Sequence, residues 1–372
     1  MANQFFYGTL RDPALLAIVL GHSNALLRPA TLHDHRVCHA GAEPFPQILA
    51  EAGSTAEGFL AENLSAADLE RLAFYEGGFG YDLRTVTVET AEGPAAAQVW
   101  FPHQGLYPLE QPWSLERWQQ TYGPVAREAA KEALSYLGTR TPQEVARAWH
   151  MLDSRAQARL SAQSAPDCSL SGLSRSDTEE LAARRPYAKF FALEERELKF
   201  RKFSGDFSDP IDRAVFVGAD AALVLPYDPV RDRVLLIEQF RSGPYVRGDA
   251  FPWCLEPIAG MIDGGETPED TARREALEEA RLSVSELRLI GRGYASPGDS
   301  TGFYHMFLAL ADLPDSIVGV GGVETESENI RSHLLQATDF IAALDAGRIN
   351  VAPLQLMGHW FARNRESLRA RA

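Results

Sequence analysis

The chain of 372 residues is poor in cysteine and lacks long apolar runs. Its three cysteines, Cys38, Cys168 and Cys254, are widely spaced, which argues against a disulfide framework and against a zinc site. The apolar run Phe5–Leu10 is too short for a signal peptide, and none of the others is long enough to cross a bilayer. We therefore expect a cytoplasmic protein without a membrane partner.

Basic residues are scarce relative to acidic ones. The chain has 36 Lys and Arg against 51 Asp and Glu, a formal net charge of −15 at pH 7. Nucleic acids and anionic membranes are bound by basic faces, so this balance argues against both as partners. The length allows two or three domains.

One acidic stretch, Gly260–Leu282, organises the C-terminal part. It starts as a tight loop and continues as a helix that Thr267 can cap. Glu275, Glu278 and Glu279 stand at i, i+3 and i+4, so they project from one helical face. Such a face is either simply solvated or a site where carboxylates hold a hard divalent cation, which offsets their repulsion.

This stretch resembles the signature of the Nudix hydrolases. The residues that match its fixed spacing are Gly260, Glu266, Arg274, Glu275, Ala276, Glu278, Glu279 and Leu282. Arg281 stands where the signature has a second glycine, which normally ends the helix with a positive φ. A residue with a Cβ would cost roughly 1–2 kcal/mol in that conformation. We expect Arg281 to change the helix end and to leave the metal site intact.

Flanking segments resemble the ADP-ribose pyrophosphatase branch of that family, and within it the bacterial enzymes associated with tellurite resistance. The segments are Glu238–Arg241, Pro252–Asp263, Ser296–Gly298 and Glu326–Arg331. The resemblance implies hydrolysis of ADP-ribose to AMP and ribose 5-phosphate by a homodimer, with Mg2+ or alternatively Mn2+.

The same resemblance implies roles for single residues. The metal ligands would be Glu275 and Glu279, with Glu278 sharing or bridging, the backbone oxygen of Ala259, and Glu328. Glu326 matches the proposed general base, although its acidic loop could simply be solvated. Glu278 is a second catalytic candidate. Glu266 and Arg274 would form an ion pair that fixes the loop against the helix.

Substrate contacts follow from the resemblance as well. Arg241 would offer a bidentate fork to a phosphate or ribose, or alternatively pair with an acidic neighbour on the sheet. Glu256 would accept hydrogen bonds from ribose or adenine, or bridge to a partner subunit. Ser296 and Gly298 belong to the matching turn after the helix.

Near the N-terminus, Glu76 lies among aromatic residues and glycines in Tyr75–Arg84. Such surroundings would raise its pKa and suit an acid/base, whereas a plain helix end would leave it exposed. Together with the loop of Tyr7, Gly8, Thr9 and Leu10, this segment resembles the gamma-glutamylcyclotransferase-like fold over about residues 4–103. The resemblance implies that the loop holds a substrate carboxylate or amide and that Glu76 is the acid/base. The domain is either active or a binding scaffold.

Two other clusters suggest sites less strongly. His33, His35 and His39 stand at a spacing that lacks a supporting pattern of Cys or acidic ligands, so we predict a loop with solvated histidines. The basic and aromatic stretch Tyr187–Phe207 could contact a polyanion or form a charged hairpin.

We predict an α/β (α+β) protein with three parts. These are a gamma-glutamylcyclotransferase-like mixed barrel over 1–110, a helical connector and linker over 111–176 with the linker at Ser161–Ser176, and a Nudix α/β/α sandwich with a mixed sheet over 177–372. Alternative functions are hydrolysis of another nucleoside diphosphate derivative, nucleotide binding without turnover, and gamma-glutamyl cyclotransfer as the main activity.

Overall fold

The computed structural model describes residues 2–166, 168–322 and 328–370, with the backbone alone at 109 and 110. The chain forms two compact units, Met1–Ala165 and Pro166–Ala372. In these described ranges, no helix has the length and apolar character needed to span a membrane.

The first unit combines a curved sheet with a layer of helices. Its elements are β1 (Ala2–Phe6), α1 (Pro13–Leu20), β2 (Leu26–Ala40), β3 (Pro46–Leu64), α2 (Ala66–Glu76), β4 (Tyr81–Thr90), β5 (Gly93–Pro102), β6 (Leu109–Pro112), α3 (Leu115–Thr121), α4 (Gly123–Leu134), α5 (Pro142–Arg147) and α6 (Trp149–Gln163). The strands follow the order β3-β1-β5-β4-β2, and β2 also pairs with β3, so the sheet closes into a barrel. Strand β6 adds to β2. The predicted mixed barrel is confirmed, with β1 and β5 as its parallel pair.

Side chains from alternate strand positions fill the barrel. Phe5, Leu32, Ile48, Leu60 and Val99 are buried together in its core. Two helix starts next to the barrel carry the caps that their sequences predict, because short polar side chains satisfy free backbone N–H groups there. Asp12 accepts from the Leu15 N–H at 2.8 Å, and Ser65 forms a capping box with Asp68.

The predicted histidine loop is wrong. His33, His35 and His39 lie in β2, which pairs with β3 along most of its length. A register shift between His33 and His35, where Asp34 has a φ of 56°, interrupts the alternation of buried and exposed positions. A β-bulge of this kind hides a strand from a search for strict period-two patterning.

The helices that follow the barrel belong to the first unit. Helix α4 packs against α1, α2 and α6. Arg155 of α6 and Glu132 of α4 form an ion pair of 2.6 Å with both side chains 1% exposed. The helices that the sequence assigns to a connector therefore belong to the same compact unit as the barrel.

The second unit is built on a mixed sheet. Its elements are β7 (Thr178–Ala188), β8 (Ala192–Phe200), β9 (Ile211–Val217), β10 (Ala221–Asp228), β11 (Arg233–Phe240), α7 (Ser242–Arg247), β12 (Trp253–Glu256), β13 (Ile258–Met261), α8 (Pro268–Ala280), β14 (Glu286–Tyr294), β15 (Phe303–Leu310), β16 (Val320–Gly321), β17 (Ile330–Gln336), α9 (Ala337–Asp345) and α10 (Ala352–Arg369). The main order is β14-β15-β10-β11-β17-β16, with β12 on β11 and β13 on β10. Strands β7, β8 and β9 form a separate sheet. The segment Tyr187–Phe207 begins in the hairpin of β7 and β8, which is the charged hairpin of the prediction.

Helices cover both faces of the main sheet. On one face, Ala272, Ala276 and Ala280 of α8 are buried in a core that includes Val224 and Ile258. On the other face, residues of α9 and α10 share a second core with strand residues. The predicted α/β/α sandwich is confirmed, and its small alanine contacts bring α8 close to the strand that precedes the acidic loop.

Candidate active site

Local signals in the sequence fix where α8 begins. The Thr267 hydroxyl accepts from the Asp270 N–H at 3.2 Å, and Pro268 occupies the first turn, where its missing N–H costs nothing. The Thr267 hydroxyl also donates to the Asp270 carboxylate at 2.6 Å. The helix thus starts immediately after the loop that leaves β13.

Arg281 ends α8 in a left-handed conformation, with φ 54° and ψ 30°. Its N–H donates to the Leu277 carbonyl, and the Leu282 N–H donates to the Ala276 carbonyl, both at 2.9 Å. This is the geometry that glycine usually provides. The expected change in the helix end is therefore wrong, since Arg281 keeps that geometry and carries the strain instead.

Arg274 ties the acidic loop to α8. Its Nε lies 3.0 Å from Oε1 of Glu266, and its Nη2 donates to the Met261 carbonyl at 3.1 Å. The Thr271 hydroxyl donates to Oε2 of Glu266 at 2.6 Å. These charge-assisted bonds hold the loop in one conformation. Thr271 was not singled out from the sequence, although it lies one helical turn after the cap.

Glu275 and Glu279 point from α8 toward β13. Glu279 is 2% exposed, and its Oε2 accepts the Ala259 N–H at 3.1 Å. Burial raises the pKa of Glu279 well above its ordinary value, and the charges of Glu275 and Glu328 raise it further. Burial also raises the pKa of Glu275 to about 7, against the opposing effect of Arg274. Both carboxylates are therefore costly as isolated anions.

Gly260 leaves the space into which Glu275 fits. A Cβ built on Gly260 would overlap the Glu275 carboxyl group. Gly321 also lies close to α8, because a Cβ there would overlap the Glu279 carbonyl. Gly260 belongs to the matched signature, whereas Gly321, which is distant along the chain, was not singled out from the sequence.

Glu278 and Glu328 complete the acidic neighbourhood. Nη1 of Arg274 lies 2.6 Å from Oε1 of Glu275 and 3.2 Å from Oε2 of Glu278. Glu328 acts electrostatically on both Glu275 and Glu279. Among the described residues, no group of three or more His, Cys, Asp or Glu side chains is already arranged to hold a metal ion. Glu326 lies outside the described residues.

The residues predicted to bind substrate fall in two places. Arg241 pairs with Glu256, with Nη2 to Oε2 at 2.8 Å, which is the alternative that the sequence left open. Gln239 also donates to Glu256, at 3.3 Å. Ser296 and Gly298 lie exposed in the turn after β14, where the Ser296 carbonyl accepts from the Ser300 N–H.

A second candidate site lies in the first unit. Glu76 is the last residue of α2 and half-buried, and burial raises its pKa to about 7. The helix end was one of the two predicted settings, but the carboxyl group is not freely exposed there. The Tyr7 hydroxyl donates to the Trp100 carbonyl at 3.0 Å, and Gly8 fits closely against Pro46. Thr9 and Leu10 form a short helical turn after them.

Comparison with known proteins finds a matching family model in each unit. The model of the family "Gamma-glutamyl cyclotransferase, AIG2-like" matches residues 4–120, and that of the "NUDIX domain" matches residues 218–351. The ADP-ribose pyrophosphatase of Escherichia coli K12 is 35% identical over 195 residues, which cover 52% of this chain and 92% of that protein. The Haemophilus influenzae ADP-ribose pyrophosphatase is 34% identical over 179 residues, 48% of this chain and 82% of that protein.

A relative with a different substrate in its name is also similar. The GDP-mannose pyrophosphatase of Yersinia enterocolitica is 35% identical over 137 residues, which cover 37% of this chain and 70% of that protein. An α/β/α sandwich with a carboxylate-bearing helix after a glycine loop defines a hydrolase of the Nudix type. The chain belongs to the Nudix family, and it carries an N-terminal domain of the gamma-glutamyl cyclotransferase, AIG2-like family.

Proposed function

We propose that the second unit hydrolyses the pyrophosphate of ADP-ribose to AMP and ribose 5-phosphate with Mg2+. The observation that carries the proposal is the buried pair Glu275 and Glu279 on α8. The match to an ADP-ribose pyrophosphatase along 92% of that protein supports the choice of substrate.

The donor set suits a hard divalent cation. Glu275 and Glu279 are anionic oxygen donors whose burial and mutual repulsion a cation would offset. Glu278, Glu328 and the Ala259 carbonyl would supply further oxygens, and Mn2+ would suit the same donors as Mg2+. When bound, such ions neutralise phosphate oxygens and make a water molecule a better nucleophile.

The residues of the chain itself prepare the site. Gly260 leaves room for Glu275, and the pair of Arg274 and Glu266 holds the loop so that the carboxylates keep their positions. Arg241 lies close enough to Glu279 for the two charges to interact. Its guanidinium group would therefore bind a diphosphate near the carboxylates. Glu256 would orient Arg241, while Ser296 and Gly298 would contact substrate from the turn after β14.

Abstraction of a proton from water needs a base. Glu326 is the first choice and Glu278 the second, because Glu278 is 38% exposed in its side chain and stands beside the buried carboxylates. Separate Glu326→Gln and Glu278→Gln variants distinguish them. The base variant should lose turnover while retaining substrate affinity.

A substrate panel tests the main proposal. The full chain with Mg2+ would be given ADP-ribose, GDP-mannose, a second nucleotide sugar and a dinucleoside polyphosphate, and nucleoside monophosphate release would be measured. ADP-ribose should have the highest kcat/KM. A clear preference for GDP-mannose would refute the assignment to ADP-ribose and retain the hydrolase.

We also propose that the active form is a cytoplasmic homodimer. Phe190, Phe191 and Phe216 around the β7–β9 sheet are each half exposed, as is Trp253 near α7. Exposed aromatic clusters favour association, and a second copy of the chain is the proposed occupant. Light scattering after size exclusion should give twice the chain mass of 41.0 kDa. A Phe191→Asp variant should shift it to the monomer, whereas Val230→Asp, in an exposed turn, should not.

The first unit supports a second candidate function, cyclotransfer of a gamma-glutamyl amide. The observation in its favour is Glu76, whose pKa near 7 suits proton transfer at neutral pH. Tyr7, Gly8, Thr9 and Leu10 would hold the gamma-glutamyl end. The test is release of 5-oxoproline by the full chain and its loss in a Glu76→Gln variant.

A further inference from the structure

The aromatic residues around Glu76 form a connected series of rings. Centroid distances are 5.6 Å for Tyr75–Trp149, 5.2 Å for Trp149–Phe79 and 6.3 Å for Phe79–Phe45. The series continues through Tyr107 to Tyr81 with distances of 5.7 and 6.4 Å. Both end members lie within electrostatic reach of Glu76, because its charge raises the pKa of Tyr75 and that of Tyr81. The series therefore runs from α2 to β4, and both of its ends lie within electrostatic reach of the Glu76 carboxyl group.

Trp149 enters this series from outside the matched family region. The cyclotransferase family model ends at residue 120, whereas Trp149 is the first residue of α6. Its ring meets Tyr75 and Phe79 edge to face, at 77° and 81°. Tyr75 precedes Glu76 by one residue and Phe79 follows it by three, so Trp149 packs against the segment that carries the carboxyl group.

Helix α5 makes a second contact with the same segment. The Gln143 amide donates to the Gly77 carbonyl at 3.2 Å. A Cβ on Gly78 would overlap the Pro142 carbonyl and would also crowd Ala146. A hydrogen bond and a close backbone approach thus fix the chain immediately after Glu76.

The charges near Glu76 come from several elements. Its own charge acts on Tyr7 after β1, on Tyr75 in α2 and on Tyr81 in β4. Glu43 acts on Tyr81 and Tyr107, and Asp153 of α6 acts on Tyr75. In the described part of the chain, burial accounts for the raised pKa of Glu76 and no cation opposes it.

We propose that the segment Thr141–Trp149 forms one wall of the Glu76 site, and that Trp149 is a positioning residue that keeps water from the Glu76 carboxyl group. The helices after the family region are then part of this site. The catalytic consequence rests on the second candidate function above, whereas the structural claim does not.

Infrared spectroscopy of the full-length protein tests the claim directly. The spectrum of each variant would be compared, over roughly pH 4 to 9, with that of the same variant carrying Glu76→Gln, which isolates the protonated carboxyl band. In the parent protein the band should disappear near pH 7. Trp149→Ala should move this midpoint down by at least about one unit, toward the ordinary glutamate value of about 4.3.

Three further variants keep the test decisive. Trp149→Phe retains an aromatic wall and should titrate like the parent. Gln143→Ala should lower the midpoint of the Glu76 band by a smaller amount. This variant tests the proposed wall if Trp149→Ala does not fold. Tyr122→Ala, a partly exposed aromatic residue of the same helical layer, should leave the midpoint unchanged.

The outcomes separate the two claims. An unchanged midpoint in folded Trp149→Ala and Gln143→Ala would overturn the proposed wall. If the parent releases 5-oxoproline, the acidic limb of its kcat profile should move with the infrared midpoint. If the parent releases none while the midpoint still moves, the cyclotransferase function fails and the wall stands.

Discussion

The carboxyl group of Glu275 occupies the space that a side chain on Gly260 would need. The two residues belong to different elements, β13 and α8, and the absence of a Cβ lets them meet. A glycine in β13 is thus required for the position of a proposed metal ligand, and the missing Cβ, not the backbone φ, makes it necessary.

Gly260→Ala should therefore impair hydrolysis while leaving the fold intact. The added methyl would push Glu275 aside, so half-saturation should need about ten times more Mg2+ and kcat should fall at least about tenfold. ADP-ribose turnover against Mg2+ concentration measures both. Gly293→Ala, where a Cβ meets open space, is the matched control. Equal Mg2+ dependence in the two variants would contradict the proposed role of Glu275.

Glu279→Gln should reduce kcat on the order of 1,000-fold, because the amide retains the shape and loses the anionic oxygen. Titration with Mn2+, followed by electron paramagnetic resonance, should show weaker binding. Glu269→Gln, in the first turn of the same helix, should behave like the parent. Unchanged turnover in Glu279→Gln would remove this residue from the metal site.

Arg281→Gly should stabilise the second unit by about 1 kcal/mol, because glycine adopts the left-handed conformation without the Cβ clash. Urea unfolding measures the change in the free energy of unfolding. Arg281→Ala keeps the Cβ and should show almost no gain. Hydrolysis should be unchanged in both variants, because Arg281 has no role in metal or substrate binding in the proposed mechanism. A gain of the same size in the alanine variant would mean that the arginine side chain, and not the backbone, carries the cost.

The stability of the first unit should depend on Glu76 and pH. Its folded pKa of about 7 exceeds the unfolded value of about 4.3, so folding favours the protonated form. The stabilising effect is complete below about pH 4 and is lost as the pH rises through 7. Glu76→Gln should match the parent at low pH and exceed its stability by roughly 3–4 kcal/mol at pH 8, because each unit of the pKa difference is worth about 1.36 kcal/mol.

Urea unfolding at both pH values checks this expectation. Glu70→Gln, an exposed position on the same helix, is the control and should show no pH-dependent difference from the parent. A Glu76→Gln variant that differs from the parent equally at both pH values would show that the ordinary glutamate pKa is retained in the folded state.

Much of the second unit could be predicted because its signals are local. Thr267, Pro268 and the spacing of the glutamates give the start and the functional face of α8. Apolar patterning alone does not separate β12 from β13, which the structure divides at Pro257. Proline removes a backbone donor, and the two pieces pair with different neighbours, β11 and β10.

The features that escaped prediction depend on distant contacts. The bulge at Asp34 concealed β2, and the place of Gly321 against α8 cannot be deduced from neighbours in the chain. Trp149 fitted the apolar periodicity of a helix, which gives no indication that its ring meets Tyr75 and Phe79. The pairing of Arg241 with Glu256 was one of two open alternatives, since charge alone does not choose between a protein partner and a substrate.

The closed barrel of the first unit has a consequence for self-association. Strands β1 to β5 each find neighbours within the ring, so they present little unpaired backbone to another molecule. The edge added by β6 is four residues long and ends in Pro112, which cannot donate to an incoming strand. Edge-to-edge β-aggregation of this unit is thus disfavoured by its connectivity, independently of the charge that keeps the chain dispersed.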